Sequence, residues 1–452
     1  MLVEPKMLLG AQRQYLVVIA LFVVWSTIYF QGSVRRSNEL VASESVTRVS
    51  NASSESTTES REFHETPESA EAAELRNAIT TLFKTIKVDP TQHYYRDSKG
   101  KYFSGAYGNE STWQEPLGKK LLIVDIDTRV PTGDNQILDP GGKLDWETLQ
   151  SSGTGLVSHA IANHYLYAMI HGYEYRYYQA LNMPDHYPTW IRPHVFKELL
   201  PDYQFIVAMD ADVVVSHLEV PLEWMFNRWG IAKHTSMALP HDTEEFRDGK
   251  SISTDSKGVP VLNGGFVISQ NNNLTFEMLE AWGNCTTEVR YPGCAQWKGE
   301  WSHEQRAFSE YIRYDFGKTP QTIVGIPCDD AMGYPDFKSQ NEASGNIGVS
   351  DCNGNFIRHY TLGKDQVHAG GTGTVVQALA EVIQKSLLGR QDEVVIKEVE
   401  PIKVAWEDET RAKQPWEQDE FDEDDEIKSN STEIITDEER SDAITLEALV
   451  SE

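Results

Sequence analysis

Asp210-Ala-Asp212 follows the apolar run Phe205-Ile-Val-Ala-Met209 and precedes Val213-Val-Val215. Two carboxylates at the end of a buried strand form a hard-oxygen pair suited to Mn²⁺ or Mg²⁺ and, through the ion, to a diphosphate. In open α/β sheets ligands bind at the carboxyl ends of strands, and unpaired carboxylates buried there would be costly. The tripeptide pattern alone is weak, because it recurs as Asp125-Ile-Asp127 and Asp422-Glu-Asp424. The copy at 422 sits in an acidic run and is incidental, so position carries more weight than pattern. His159, Asn163 and Tyr167 recur at i, i+4 and i+8, which puts them on one helix face, either as a polar seam or reaching the same pocket.

The surrounding elements fit such a site. From Lys119 onward strands alternate with helices. Leu121–Ile126 is a buried strand, 154–171 has helical spacing up to Gly172, a strand follows at 173–180, a helix near 194–200 and a strand at 203–209. Strands at 236–240 and 262–269, helices at 275–283 and 304–314, strands near Ile323 and Phe356 and a helix at 375–388 complete the pattern. This alternation predicts an α/β fold with a mostly parallel sheet. An amphipathic helix at 70–88, ending before Asp89-Pro90, reads as packing. Residues 242–260 have no apolar periodicity and read as a mobile surface loop.

The ends differ in character from the middle. Residues 14–34 carry no charge and form an apolar stretch long enough to span a bilayer, with no small-residue cleavage site after it, so they read as a single transmembrane signal-anchor behind a cytoplasmic tail at 1–13. The Ser/Thr/Glu-rich stretch at 35–70 reads as a disordered stem. The formal charge is −29, and residues 391–452 hold 22 Asp/Glu against 6 Lys/Arg, which reads as an acidic disordered tail. Nothing resembles a basic groove, so nucleic acid is excluded as a partner. Five sequons (Asn51, Asn109, Asn273, Asn284 and Asn430) and four cysteines within residues 285–352 mark an oxidising compartment. Two disulfides are expected, with Cys285–Cys294 the simplest of three connectivities.

The order Asn163-x-Tyr165-x-Tyr167-Ala-x-x-His171-Gly-Tyr173, Lys197 before Pro201, Met209-Asp-Ala-Asp-Val-Val214, Leu262-Asn-Gly-Gly-Phe-Val-Ile268, Glu304-Gln305 and Phe356-Ile-Arg-His359-Tyr-Thr-Leu-Gly-Lys364 resembles glycosyltransferase family 34. That family comprises fungal Golgi α-galactosyltransferases and α-mannosyltransferases related to plant xyloglucan xylosyltransferases. The resemblance covers about residues 119–365. It implies the nucleotide-sugar-binding GT-A fold, a mostly parallel mixed sheet flanked by helices, as the catalytic domain at 119–390 after a helical lead-in at 71–118. It assigns Asp210, Asp212 and His359 to a divalent ion, the two carboxylates also holding the donor diphosphate with Asp210 nearer the ribose, and His368 is the competitor for third ligand because the family's Cys is absent after Gly363. It places Lys364 at the donor diphosphate, Asn263, Gly264 and Gly265 under the donor sugar, Asp125 at the nucleoside unless its role is structural, and Glu304 and Gln305 at the reacting centre.

The activity so implied is metal-dependent transfer, with α retention, of a hexose from GDP-mannose or UDP-galactose, or of xylose from UDP-xylose, to a glycan acceptor, by an enzyme of the Golgi membrane in type II orientation. The preferred mechanism is a front-face displacement in which the leaving phosphate helps deprotonate the acceptor. Two other readings stay open at the level of sequence. One is a non-catalytic subunit scaffolding a hetero-oligomeric Golgi complex; the other is a secreted metal-dependent hydrolase, which commonly needs more ligands than this chain offers.

Overall fold

The computed structural model describes residues 69–106, 111–247, 250–335 and 352–399. The anchor expected at 14–34 lies outside them, as do the stem up to residue 68 and the acidic tail from residue 400; the part of the expected disordered tail that is described, 391–399, opens instead with a helical turn at Gln391–Val394. Among the described residues no helix is long and apolar enough to cross a membrane.

The strands are β1 (Tyr94–Arg96), β2 (Tyr102–Ser104), β3 (Leu121–Asp127), β4 (Glu174–Gln179), β5 (Phe205–Met209), β6 (Val213–Val215), β7 (Met237–Pro240), β8 (Phe246–Arg247), β9 (Lys250–Ser251), β10 (Phe266–Gln270), β11 (Ile323–Ile326) and β12 (Ile357–His359). Six form one sheet in the order β11-β7-β10-β5-β3-β4. β3 is parallel to β4 and β5, and β11 to β7, whereas β10 is antiparallel to both neighbours. The sheet is thus mixed and mostly parallel.

Two-residue periodicity sorts the side chains of the central strands. Leu121 and Ile123 of β3 join Phe205, Val207 and Met209 of β5 in one core, while Leu122, Val124, Ile206 and Ala208 enter the core on the other face. The helices are α1 (Ala70–Phe83), α2 (Gly153–His171), α3 (Arg192–Leu199), α4 (Leu222–Arg228), α5 (Asn273–Gly283), α6, and α7 (Val367–Gly389). α6 is built from His303–Ala307, a π-helical turn at Phe308–Ile312, and Arg313–Phe316. α2 stops at Gly172, whose φ of 76° suits the left-handed cap that glycine adopts without strain. The lead-in at 71–118 is more than a helix: Phe83, Ile86, Tyr95, Phe103, Trp113 and Leu117 all enter the first core.

Three sequence expectations need correcting. Residues 242–260 are not a bare loop, because β8 pairs with β9 and the Asp255 carboxylate draws in Val259 N, the Arg313 guanidinium at 2.5 Å and the Tyr314 hydroxyl. α1 ends five residues early, at Phe83. α7 starts at Val367 rather than near 375. Glycines 370, 371 and 373 hide its beginning from a propensity reading, yet one is required by packing, since the Tyr360 hydroxyl fills the space a Cβ at Gly370 would need.

β6 and β12 form a separate antiparallel ribbon that sets His359 opposite Val213. Gly333 bridges both His359 and Asn353, and a disulfide joins Cys328 to Cys352 beside it. The second disulfide is Cys285–Cys294, the expected pairing.

Candidate metal and donor site

Register builds the site. β5 ends at Met209, and the turn Asp210-Ala211-Asp212 leads into β6, closed by the Val213 amide donating to the Asp210 carbonyl at 3.0 Å. β10 pairs Phe266 with Met209, so Gly265 lies beside the turn and its carbonyl accepts the Asp210 amide at 2.8 Å. The β6–β12 ribbon brings His359 in from the far end of the sequence, and the Tyr360 amide donates to the Asp212 carbonyl at 2.9 Å.

Asp210, Asp212 and His359 each offer a ligand atom, all within 4.8 Å of one another, with Asp212 and His359 buried. His359 Nε2 is 3.2 Å from Asp212 Oδ1, and Lys364 Nζ is 2.9 Å from Oδ2. Burial alone would raise the Asp212 carboxyl pKa, but His359 and Lys364 outweigh it and hold the group well below the ordinary carboxylate range. Burial lowers the His359 pKa, and Asp212, Asp210 and Asp242 more than restore it, so the imidazole is shifted upward. His359 Nδ1 is buried with no hydrogen-bond partner among the described residues. Two carboxylates, one kept anionic by cationic neighbours, and an imidazole with an unspent nitrogen fit Mn²⁺ or Mg²⁺. His368 is not part of this set: it lies in the first turn of α7, bonds the Trp146 carbonyl at 3.0 Å and packs on Trp146 and His159.

Behind the turn lies a chain of buried polar contacts. Arg192, the first residue of α3, binds Glu304 Oε1 at 2.7 Å and also the Asp210 carboxylate. Glu304 is 3% exposed, its second oxygen accepts from the Thr189 hydroxyl, and burial pushes its pKa up. Glu304 therefore acts through Arg192 and Thr189, and is not itself open to the cleft. Gln305 accepts from the Gly264 amide at 2.8 Å and donates to Ser302 Oγ at 2.8 Å and Asp242 at 3.3 Å. Asn263 caps the Gly265 amide at 2.8 Å and donates to Asp242 at 3.2 Å. Burial raises the pKa of Asp242, which joins these two amides to the back of the site.

Both glycines are demanded by space. A Cβ on Gly264 would stand 2.7 Å from Arg192 Nη1, and one on Gly265 would stand 2.8 Å from both His359 ring nitrogens. Gly265→Ala should displace the imidazole and weaken Mn²⁺ binding about 10- to 100-fold, the range seen when a ligand loses its orientation. A Mn²⁺ titration followed by thermal shift checks this, and an unchanged midpoint would remove His359 from the ligand set.

The turn opens onto a cleft of about 510 Å³ lined by Asp127, Thr128 and Arg129 from the end of β3, Gly153 from the start of α2, Tyr187, Thr189 and Arg192, Asp210 and Asp212, and Lys364. Asp125 is not there, and the expected donor contact has to be corrected. Its carboxylate is buried one pleat deeper, taken by His164 Nδ1 at 2.7 Å and the Tyr175 hydroxyl at 2.6 Å, while Asp127 reaches the cleft and pairs with Arg129. The α2 face is a packed seam: Asn163 bonds the Val215 backbone, Tyr167 the Val220 carbonyl, and His159 meets Trp146 edge to face. Arg192, Asp242 and Thr189 carried no sequence signal, since each finds its partner across the fold.

No protein-family model matches the chain, and no curated protein matches it. Among solved structures the chain is similar to a glycosyltransferase involved in glycosylation of the major capsid of PBCV-1, at 13% identity over 57% of this chain and 98% of that one, with a TM-score of 0.35. It is also similar to mouse xyloside xylosyltransferase 1 (11% identity, 46% and 82% coverage, TM-score 0.29) and to the galactosyltransferase LgtC in complex with donor and acceptor sugar analogues (13%, 57% and 95%, TM-score 0.27). Likenesses this weak assign neither fold family nor activity.

Proposed function

We propose that the chain is a metal-dependent glycosyltransferase that moves a hexose, mannose or galactose, from a nucleotide donor to a glycan with α retention, held in the Golgi membrane by residues 14–34 with its catalytic domain in the lumen. The observation that carries the reading is the convergence of Asp210, Asp212 and His359 within 4.8 Å, beside a cleft that also presents Lys364. The family 34 resemblance supplies the finer terms. Two disulfides and the exposed sequon residues Asn273 and Asn284 support a lumenal domain.

A divalent ion held by these three residues would offset charge on a departing diphosphate as a Lewis acid. The protein's own part is positioning and charge. Lys364, 55% exposed at its side chain, reaches the cleft with an ammonium that can turn from Asp212 to a phosphate oxygen. Arg192 holds Asp210 against the buried Glu304, so the carboxylate is fixed before a ligand arrives. Gly264 and Gly265 let backbone approach closely where a side chain would intrude.

The test is calorimetric titration of the detergent-solubilised full-length protein with UDP and GDP, in Mn²⁺ and in EDTA, followed by turnover of GDP-mannose, UDP-galactose and UDP-xylose. One nucleotide should bind in Mn²⁺ and be lost on chelation, with turnover of the matching donor. Binding indifferent to EDTA overturns the metal's part. Binding without turnover points to the scaffold, and no binding overturns the site.

A further inference from the structure

One wall of the cleft, Tyr187-Pro188-Thr189, has so far been used only through Thr189. The Tyr187 ring lies flat on the His303 imidazole, with centroids 3.5 Å apart and planes 15° from parallel. Tyr187 is nonetheless 46% exposed. With one face covered, that exposure belongs to its other face and its edge.

The support under the ring is built at a conformational cost. Ser302 and His303 have φ of 75° and 40°, consecutive left-handed residues that are not glycine. Such residues persist only where surrounding contacts over-determine them, and they gather at functional sites. Here the Ser302 hydroxyl accepts from Gln305 Nε2 at 2.8 Å and the His303 amide donates to the Glu300 carbonyl at 3.0 Å. The same turn therefore sets the imidazole beneath Tyr187 and starts α6, whose first turn carries Glu304 and Gln305. From the other side, Thr189 donates to Glu304, which Arg192 joins to Asp210. The His303 that backs the ring and the Thr189 two residues after it both lead to the groups around Asp210.

We infer that Tyr187, backed by His303, is the stacking platform for a pyranose ring of the glycan acceptor. A pyranose presents an apolar C–H face and a rim of hydroxyls, and the cleft presents one aromatic face among polar side chains, with Thr128 and Asp127 on its lining. The acceptor is assigned here because Tyr187 lines the same cleft as Asp210 and Asp212, where the proposed transfer joins two sugars. The assignment rests on the transferase reading.

The experiment uses the solubilised full-length protein on an immobilised array of mannose- and galactose-terminated glycans, with UDP and GDP titrations in Mn²⁺ run in parallel and melting by circular dichroism as the check on folding. Tyr187→Ala should weaken glycan binding about tenfold or more, as truncation of a central aromatic contact does, while the nucleotide Kd moves less than about twofold. Tyr187→Phe should keep glycan binding within about twofold, and His303→Ala should lose a smaller part by freeing the ring. Glycan binding that survives Tyr187→Ala, that fails equally in Tyr187→Phe, or that is absent from the wild type overturns the platform. Equal loss of nucleotide binding in Tyr187→Ala overturns it in favour of base stacking. A wild type that holds glycans through Tyr187 but binds no nucleotide would sink the transferase reading and leave the platform standing; nucleotide binding and turnover with Tyr187 irrelevant would do the reverse.

Discussion

Asp212→Asn removes the metal response while leaving the fold in place. Asp212 is the one carboxylate of the pair held by both His359 and Lys364, and these neighbours keep it ionised against its burial. Asparagine has the same shape but one neutral oxygen and an amide that faces a cation, so the site loses a hard anionic ligand. Turnover should fall roughly 10³-fold, about 4 kcal/mol of transition-state stabilisation, in line with the several kcal/mol a bound metal contributes. The decisive readout is independent of turnover: the Mn²⁺-induced rise in melting temperature should vanish, while the metal-free melting point falls because the buried Asp212–His359 pair at 3.2 Å is weakened, the half-exposed Lys364 pair adding little. A metal-induced rise that persists in the variant would exclude Asp212 as a ligand.

Arg192→Met should be the most destabilising single change at the site. The guanidinium is 5% exposed and pairs with a carboxylate that is 3% exposed, so its loss leaves Glu304 buried with only the Thr189 hydroxyl. Breaking a buried pair from one side costs about 3–5 kcal/mol. The sign of the pH effect follows from Glu304, whose pKa burial already raises. Without Arg192 the folded state favours the protonated acid more strongly than the unfolded state does, so the variant should regain stability as the pH falls toward the ordinary glutamate range and lose it as the pH rises above that range. Adding Glu304→Gln to Arg192→Met should recover much of the loss at pH 7. Urea melts of the two variants at pH 5 and 7 check both statements, and equal destabilisation at both pH values in both variants would mean that packing, not charge, sets the cost.

The strand and helix order was legible because buried strands here are unbroken apolar runs and because Gly172 stops α2 where pattern reading looks for it. The position of Asp210 and Asp212 at a strand end was legible for the same reason. What could not be read was depth. Asp125 and Asp127 share one face of β3, and only the packing of His164 and Tyr175 decides that the first is interior and the second lines the cleft. Nor does a sequence show that Arg192 meets a glutamate 112 residues away, or that a glycine-rich stretch unfavourable to helix begins one because Tyr360 needs the room. The third ligand needed the β6–β12 register, which sets His359 rather than His368 beside Asp212.

That ribbon also dates the site within the life of the chain. The last strand of the six-stranded sheet ends at Ile326, so every strand of that sheet, and Asp210 and Asp212 with it, is synthesised before His359. Closing the ribbon joins residues that are distant along the chain, which loop-closure entropy opposes, and the Cys328–Cys352 disulfide lies beside it. On the proposed reading, the third ligand of the cation therefore arrives only after all six strands of the sheet have been made.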